Sequence, residues 1–139
     1  MHIPPFSVFS ALSELVVTAG VLWIIRRNWT GRRFPLAAFL AVVLFEALVN
    51  VLYMANRAAR AATGVEEISR AMRLSYAAHG GLSLIAFVAF VILGVIAYQE
   101  QGGGRWFFRE RPGLTWTFTV VWMISVLSGE AIFALRYLA

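Results

Sequence analysis

The chain has 139 residues, of which 60% are hydrophobic and only 14% are charged, whereas soluble domains carry about a quarter charged residues; an ordinary soluble domain is therefore excluded. It contains no cysteine, which excludes disulfides, iron–sulfur clusters and thiolate metal sites. Its net charge of +5 comes from arginines at the ends of apolar segments, which indicates membrane topology and lipid-headgroup contact rather than nucleic-acid binding.

Four apolar segments follow one another along the chain, each close to the ~20 residues that cross a bilayer core. They run over Phe6–Ile25, Pro35–Asn56, Ser75–Tyr98 and Leu114–Leu138. The first has no basic segment before it and is followed by Arg26 and Arg27, so we interpret it as a span and not as a signal peptide. The pattern predicts one all-α domain over residues 1–139, an integral-membrane antiparallel bundle of four transmembrane helices.

The connections between the spans are amphipathic or aromatic. Arg57–Leu74 mixes charged and apolar residues at a spacing that predicts a short amphipathic helix on the membrane surface between the second and third spans. Before the last span, Trp106, Phe107 and Phe108 stand beside Arg105, as in an interfacial aromatic belt.

Small residues predict where the helices approach one another closely. The third span begins with a group of them: Ala77, Ala78, Gly80, Gly81 and Ser83. The fourth span offers Ser125 and Gly129 at a four-residue spacing. We therefore expect close packing at the start of the third span, with space left beside His79.

Arginine distribution predicts the orientation. Four spans place both termini and the second loop on one side (side A), and the first and third loops on the other (side B). Side B carries seven arginines and side A carries five. The positive-inside rule then places side B in the cytoplasm. We expect a multi-pass protein of the bacterial inner membrane with both termini outside.

Each span contains one ionisable residue, and such residues inside a membrane are functional candidates because burying them is costly. They are Glu14, Glu46, His79 and Glu130. Asn50 lies four residues after Glu46, on the same helical face. At about 1.5 Å rise per residue, all of them lie in the half of the membrane nearer side A.

Two interpretations of this polar level remain open. Glu14, Glu46, His79 and Glu130 are predicted as metal ligands with Asn50 beside them, because carboxylates and imidazole in a bundle core suit iron, manganese or zinc. Alternatively, the carboxyl groups are neutral or hydrogen-bonded, and contact with protons or a quinone needs similar residues. Haem held by this chain alone is not expected, because His79 is the one histidine within a span. No complete catalytic motif is present, so we expect no enzyme.

Two runs carry a family resemblance: Arg73–His79 (RLSYAAH) and Leu114–Gly129 (LTWTFTVVWMISVLSG), with a looser match over Leu12–Arg27. They resemble the CtaM/YozB-like family of small four-helix bacterial membrane proteins, often encoded beside haem–copper oxidases. Members tend to carry several histidines. His79 matches the one on the third span, whereas Tyr53–Asn56 and Arg109–Arg111 contain none.

The resemblance implies an accessory protein of a respiratory terminal oxidase, either an assembly factor or a small bound subunit. Its partners would be the lipid bilayer and other membrane-protein subunits. Two alternatives remain. One is a structural subunit of another electron-transfer or photosynthetic complex. The other is a membrane protein that binds a metal or a quinone through its carboxylates and histidine.

Overall fold

A computed structural model describes residues 5–62 and 69–137, and within these ranges the secondary structure is entirely helical. The helices are α1 Pro5–Trp29, α2 Leu36–Ala62, α3 Arg70–Gln101, α4 Phe107–Glu110 and α5 Pro112–Tyr137. Of these, α1, α2, α3 and α5 are long and apolar enough to cross a membrane. The four predicted spans are therefore confirmed as four long apolar helices.

The long helices extend beyond the predicted spans wherever the sequence does not interrupt them. Pro112 occupies the first turn of α5, since proline at a helix start sacrifices no internal hydrogen bond. Helix α3 begins five residues before the predicted span, where the Ser69 hydroxyl accepts a hydrogen bond from the Met72 backbone N–H at 3.2 Å.

The predicted surface helix over Arg57–Leu74 is not seen as a separate element in the described residues. Residues 57–62 form the last turns of α2, and residues 70–74 form the first turns of α3. The remaining part of that prediction, residues 63–68, lies outside the described residues.

The hydrophobic core is built around aromatic rings in the half of the molecule nearer side B. The ring centroid of Phe90 lies 5.2 Å from that of Phe39 and 5.7 Å from that of Trp122. These are distances at which tilted aromatic pairs attract each other. Gly94 makes the packing possible, because a Cβ at this position would stand 2.2 Å from the Phe39 ring. Helices α2 and α3 therefore meet where the ring of Phe39 covers the backbone of Gly94.

The predicted aromatic belt before the last span is wrong for two of its three residues. Phe107 and Phe108 lie on the short helix α4 and belong to the buried core, whereas Trp106 is half-buried. The amide of Asn28, which is fully buried at the end of α1, accepts a hydrogen bond from the Phe108 backbone N–H at 3.0 Å. That bond ties α4 to α1, so the two phenylalanines close the core at side B.

The prediction of close packing at the start of the third span is confirmed for Ser83, whose hydroxyl lies 2.8 Å from that of Ser125 on α5, but it is wrong for the other four small residues. Ala77, Ala78, Gly80 and Gly81 are exposed. Among the described residues, no atom lies within 4 Å of a Cβ built at Gly80 or Gly81. Small residues permit close approach but do not require it, and α3 uses Gly94 for this purpose instead.

Polar contacts tie α1 to α5 along their length. The indole N–H of Trp122 donates to the Thr18 hydroxyl at 3.1 Å, and both residues are buried. The hydroxyls of Ser7 and Tyr137 are 3.4 Å apart. The start of α1 therefore lies beside the end of α5.

Candidate functional site: a polar cluster between α1, α3 and α5

The candidate site is centred on the bare backbone of Gly129 on α5. A Cβ at this position would lie 2.7 Å from His79 Cε1 and 3.1 Å from both His79 Nε2 and Glu14 Oε2. The imidazole from α3 and the carboxyl from α1 therefore meet over one glycine. Two of the four ionisable residues predicted from the sequence are brought together directly.

A chain of serine hydroxyls holds the other edge of the His79 ring. Nδ1 of His79 lies 2.9 Å from the Ser128 hydroxyl and 3.5 Å from the Ser83 hydroxyl. The Ser83 and Ser125 hydroxyls are 2.8 Å apart. These bonds hold the ring with Nδ1 toward the serines and Nε2 toward the space beside Glu14. Nε2 is thus the nitrogen available to a proton or ligand.

Glu130 follows Gly129 on α5 and adds a second carboxyl group to the same region. It is half-buried, and among the described residues its Oε1 is buried without a hydrogen-bond partner. Glu14 lies within electrostatic range of both Glu130 and Glu46. A buried carboxyl oxygen without a partner is costly. A proton or a polar ligand bound at this oxygen of Glu130 would remove that cost.

Glu46 is held separately, by its own helix. Its Oε1 accepts a hydrogen bond from Asn50 Nδ2 at 2.9 Å, and the Glu46 backbone carbonyl accepts another from the same nitrogen at 2.9 Å. Glu46 is half-buried, whereas Asn50 is exposed. The predicted pairing of these residues on one face of α2 is therefore present, with Asn50 at the exposed side of the pair.

The cluster can hold protons or a polar group, but its present arrangement is not a formed metal site. Within residues 5–62 and 69–137, no three histidine or carboxylate side chains converge as metal ligands would. Metal binding by Glu14, Glu46, His79 and Glu130 stays a prediction. Metal analysis of the purified protein tests it.

Sequence reasoning missed Ser128 as the partner of His79 and expected the wrong helix to provide the space. The space beside His79 is left by Gly129 on α5 and not by the small residues of α3. The sequence held a usable signal. Ser125, Ser128 and Gly129 form a stripe of polar and small residues within the otherwise apolar run Val120–Gly129.

Comparison with known proteins adds no assignment, because no family model, curated protein or solved structure matches the chain.

Proposed function

We propose that this protein is an accessory component of a respiratory terminal oxidase in the bacterial inner membrane, either an assembly factor or a small bound subunit. The oxidase is suggested by the resemblance of Arg73–His79 and Leu114–Gly129 to the CtaM/YozB-like family. These two runs contact each other, since His79 lies against Ser128 and Gly129. The segments that carry the resemblance thus form the candidate site.

The observation that most favours a partner subunit is the exposed amide of Asn50. It lies on α2 about 9 Å from the end of the candidate span at Asn56. Its neighbours Leu48 and Val51 are 58% and 66% exposed, so this face would contact hydrocarbon in an isolated chain. The hydrogen bonds that Asn50 makes with Glu46 both use its amide nitrogen, so they leave the amide oxygen to a partner. A partner helix that donates to it would remove the cost of burying that oxygen in lipid.

The apolar surface offers further area for such contacts. Val16, Leu44 and Leu135 are each at least 68% exposed, although they are large hydrophobic residues. Such a surface is expected where helices contact lipid, and it can equally pack against other membrane helices. It provides the contact area, while Asn50 provides a polar contact that lipid tails cannot make.

The proposal also covers the order of the helices and their orientation in the membrane. The contacts of Ser7 with Tyr137 and of Asn28 with Phe108 support an antiparallel order of α1 and α5. Side B faces the cytoplasm and both termini face outward. The turns at residues 57–62 and 70–74, which extend α2 and α3 past the predicted spans, lie at the membrane surface of side A.

Affinity purification from native membranes tests the association. A tagged chain solubilised in mild detergent should recover oxidase subunits, identified by mass spectrometry, well above a same-size membrane protein that carries the same tag. Asn50→Ala should lower the recovery of oxidase subunits. Val120→Ala, a truncation of a 52% exposed residue on α5 outside the Asn50 face, is the control and should leave recovery near wild type.

Recovery of the chain without oxidase subunits would overturn the oxidase assignment. Recovery of subunits from a photosynthetic or other electron-transfer complex would identify that complex as the partner instead. Equal recovery with Asn50→Ala and with the wild type would remove Asn50 from the contact surface.

A further inference from the structure

A cavity of about 580 Å³ opens at side B, between the start of α2 and the end of α3. It is lined by Arg33, Tyr98, Gln99, Gln101, Gly102 and Trp106. The Phe34 backbone N–H donates to the Gln101 side-chain oxygen at 2.8 Å, which joins the two walls. The cavity is therefore held by the fold and lies far from the Gly129 cluster.

The surface around this cavity carries a surplus of positive charge. Two arginines at side B are paired: Arg111 binds Glu100 through two hydrogen bonds of 2.8 and 2.9 Å, and Arg105 contacts Glu110 at 3.1 Å. Glu100 and Glu110 are the two glutamates at side B. Among the described residues, five side-B arginines have no carboxylate partner: Arg26, Arg27, Arg32, Arg33 and Arg109. The nearest carboxylates are thus already neutralised, and the field at the cavity favours an anion.

The cavity lining presents donors suited to a phosphate group. Arg33 supplies a guanidinium, which matches phosphate oxygens through a planar fork of N–H groups. Trp106 brings an indole N–H, a neutral donor, to the same lining. The Trp106 backbone is fixed, because its N–H donates to Glu110 at 2.8 Å. A strong cationic donor and a neutral donor therefore belong to residues that line the same cavity.

An apolar stripe leads from the cavity along α3 into the membrane. Gln99 lines the cavity, and Val95, Ile92 and Val88 precede it at spacings of four, three and four residues, which places all four on one helical face. The three apolar side chains are 42%, 53% and 46% exposed. A fatty-acyl chain could lie along this stripe with its headgroup in the cavity, an arrangement that a free phosphate ion would not use.

We propose that this cavity binds the phosphate headgroup of an anionic phospholipid, held by Arg33 and Trp106, with one acyl chain along Val88, Ile92 and Val95. A zwitterionic headgroup is disfavoured, because its cationic amine would lie beside Arg33 and in the positive field of the other side-B arginines. The bound lipid would join the loop after α1 to the end of α3 at the membrane surface.

Native mass spectrometry of the purified full chain tests the proposal. The protein is equilibrated in mixed micelles with equal amounts of phosphatidylglycerol and phosphatidylcholine, and retained lipid is counted. Wild type should retain one phosphatidylglycerol in preference to phosphatidylcholine. Arg33→Gln should lower that retention about tenfold, which corresponds to the loss of one charge-assisted hydrogen bond. Trp106→Phe, which keeps a ring and removes the N–H, should lower it to a smaller extent.

The matched control is Arg32→Gln, which removes the same charge from the adjacent exposed residue that does not line the cavity. It should retain lipid within about twofold of the wild type, because it changes only the surrounding field. Circular dichroism checks that each variant keeps its helical content. Equal losses in Arg32→Gln and Arg33→Gln would overturn the proposal, because they would show that the overall positive charge of side B retains the lipid and not a site at Arg33. Absence of any phosphatidylglycerol preference, or complete displacement by glycerol 3-phosphate, would overturn it as well.

Discussion

The imidazole of His79 lies directly against the backbone of Gly129, so close that a methyl group at position 129 would stand 2.7 Å from the ring carbon Cε1. The same missing side chain admits the Glu14 carboxyl from the opposite helix. One glycine on α5 therefore determines that an imidazole from α3 and a carboxyl from α1 share a single site. Its replacement is the most local way to disturb the cluster.

Gly129→Ala should destabilise the protein, because the new Cβ would displace the His79 ring from its hydrogen bond with Ser128. Overpacking of this kind costs about 1–3 kcal/mol. The apparent melting temperature in detergent should accordingly fall by several degrees. Thermal unfolding followed by circular dichroism measures it.

The matched control for this prediction is Gly81→Ala, because Gly81 is a helical glycine with open space around it. Removing the backbone freedom of glycine in a helix stabilises by about 0.5–1 kcal/mol, so this variant should melt at or slightly above the wild-type temperature. If Gly129→Ala melted at the control temperature, the contact between Gly129 and His79 would not exist as described.

Gly94→Ala should be more damaging, because its Cβ would stand 2.2 Å from the Phe39 ring inside the aromatic core. The ring cannot retreat without disturbing Phe34 or Phe90, whose centroids lie 5.4 and 5.2 Å away. Phe39→Leu introduced in the same chain should recover part of the loss by giving the methyl group room. A double-mutant cycle of melting measurements gives the coupling. Additive effects of the two changes would contradict the contact.

The helices could be predicted from the sequence because their signal is cumulative and local. Each span is a long apolar run, and a few residues of error at either end leave the prediction intact. The relative positions of helices were harder, because small residues allow contact without specifying it. Gly81 is exposed, whereas Gly94 and Gly129 are each covered by an aromatic or imidazole ring. Sequence alone does not distinguish these three glycines.

The candidate site shows the same limit. The cost of ionisable groups in a membrane identified Glu14, Glu46, His79 and Glu130 from composition alone. Which of them meet depends on the rotation of each helix about its axis, which composition does not specify. Glu14 and His79 meet over Gly129, while Glu46 remains with Asn50 on α2.

Glu110 should make a small pH-dependent contribution to stability at side B. The Trp106 backbone N–H and the Arg105 guanidinium hold the pKa of its carboxyl below its usual value of 4.5. The folded state therefore favours the charged form. The contribution is fully present at neutral pH and is lost as the pH falls below about 4.5 through the lowered pKa.

The measurement for Glu110 compares melting temperatures of the wild type and Glu110→Gln from pH 7 to pH 3. The wild type should be slightly more stable at pH 7, and the difference should vanish in acid. High salt should reduce the difference at pH 7, because this ion pair is exposed. A difference that stayed constant across this range would show that the charge of Glu110 is irrelevant.

The proposed orientation predicts opposite reporter signals at two positions. Alkaline phosphatase, which folds only outside the cytoplasm, should be active when fused after Tyr137. The same reporter fused at Gly103, in the side-B loop, should be inactive. Green fluorescent protein at the same two positions should give the reverse pattern. Strong fluorescence from the C-terminal fusion would invert the orientation while leaving the four long helices unchanged.

The assignment to a terminal oxidase is tested most directly by deleting the gene in its native host and measuring the oxidase in isolated membranes. Oxygen consumption through that oxidase and its reduced-minus-oxidised haem absorbance should both fall. Both should return with a plasmid copy of the wild type or of Gly81→Ala, whose change lies in open space. Unchanged haem absorbance and oxygen consumption in the deletion strain would contradict the account.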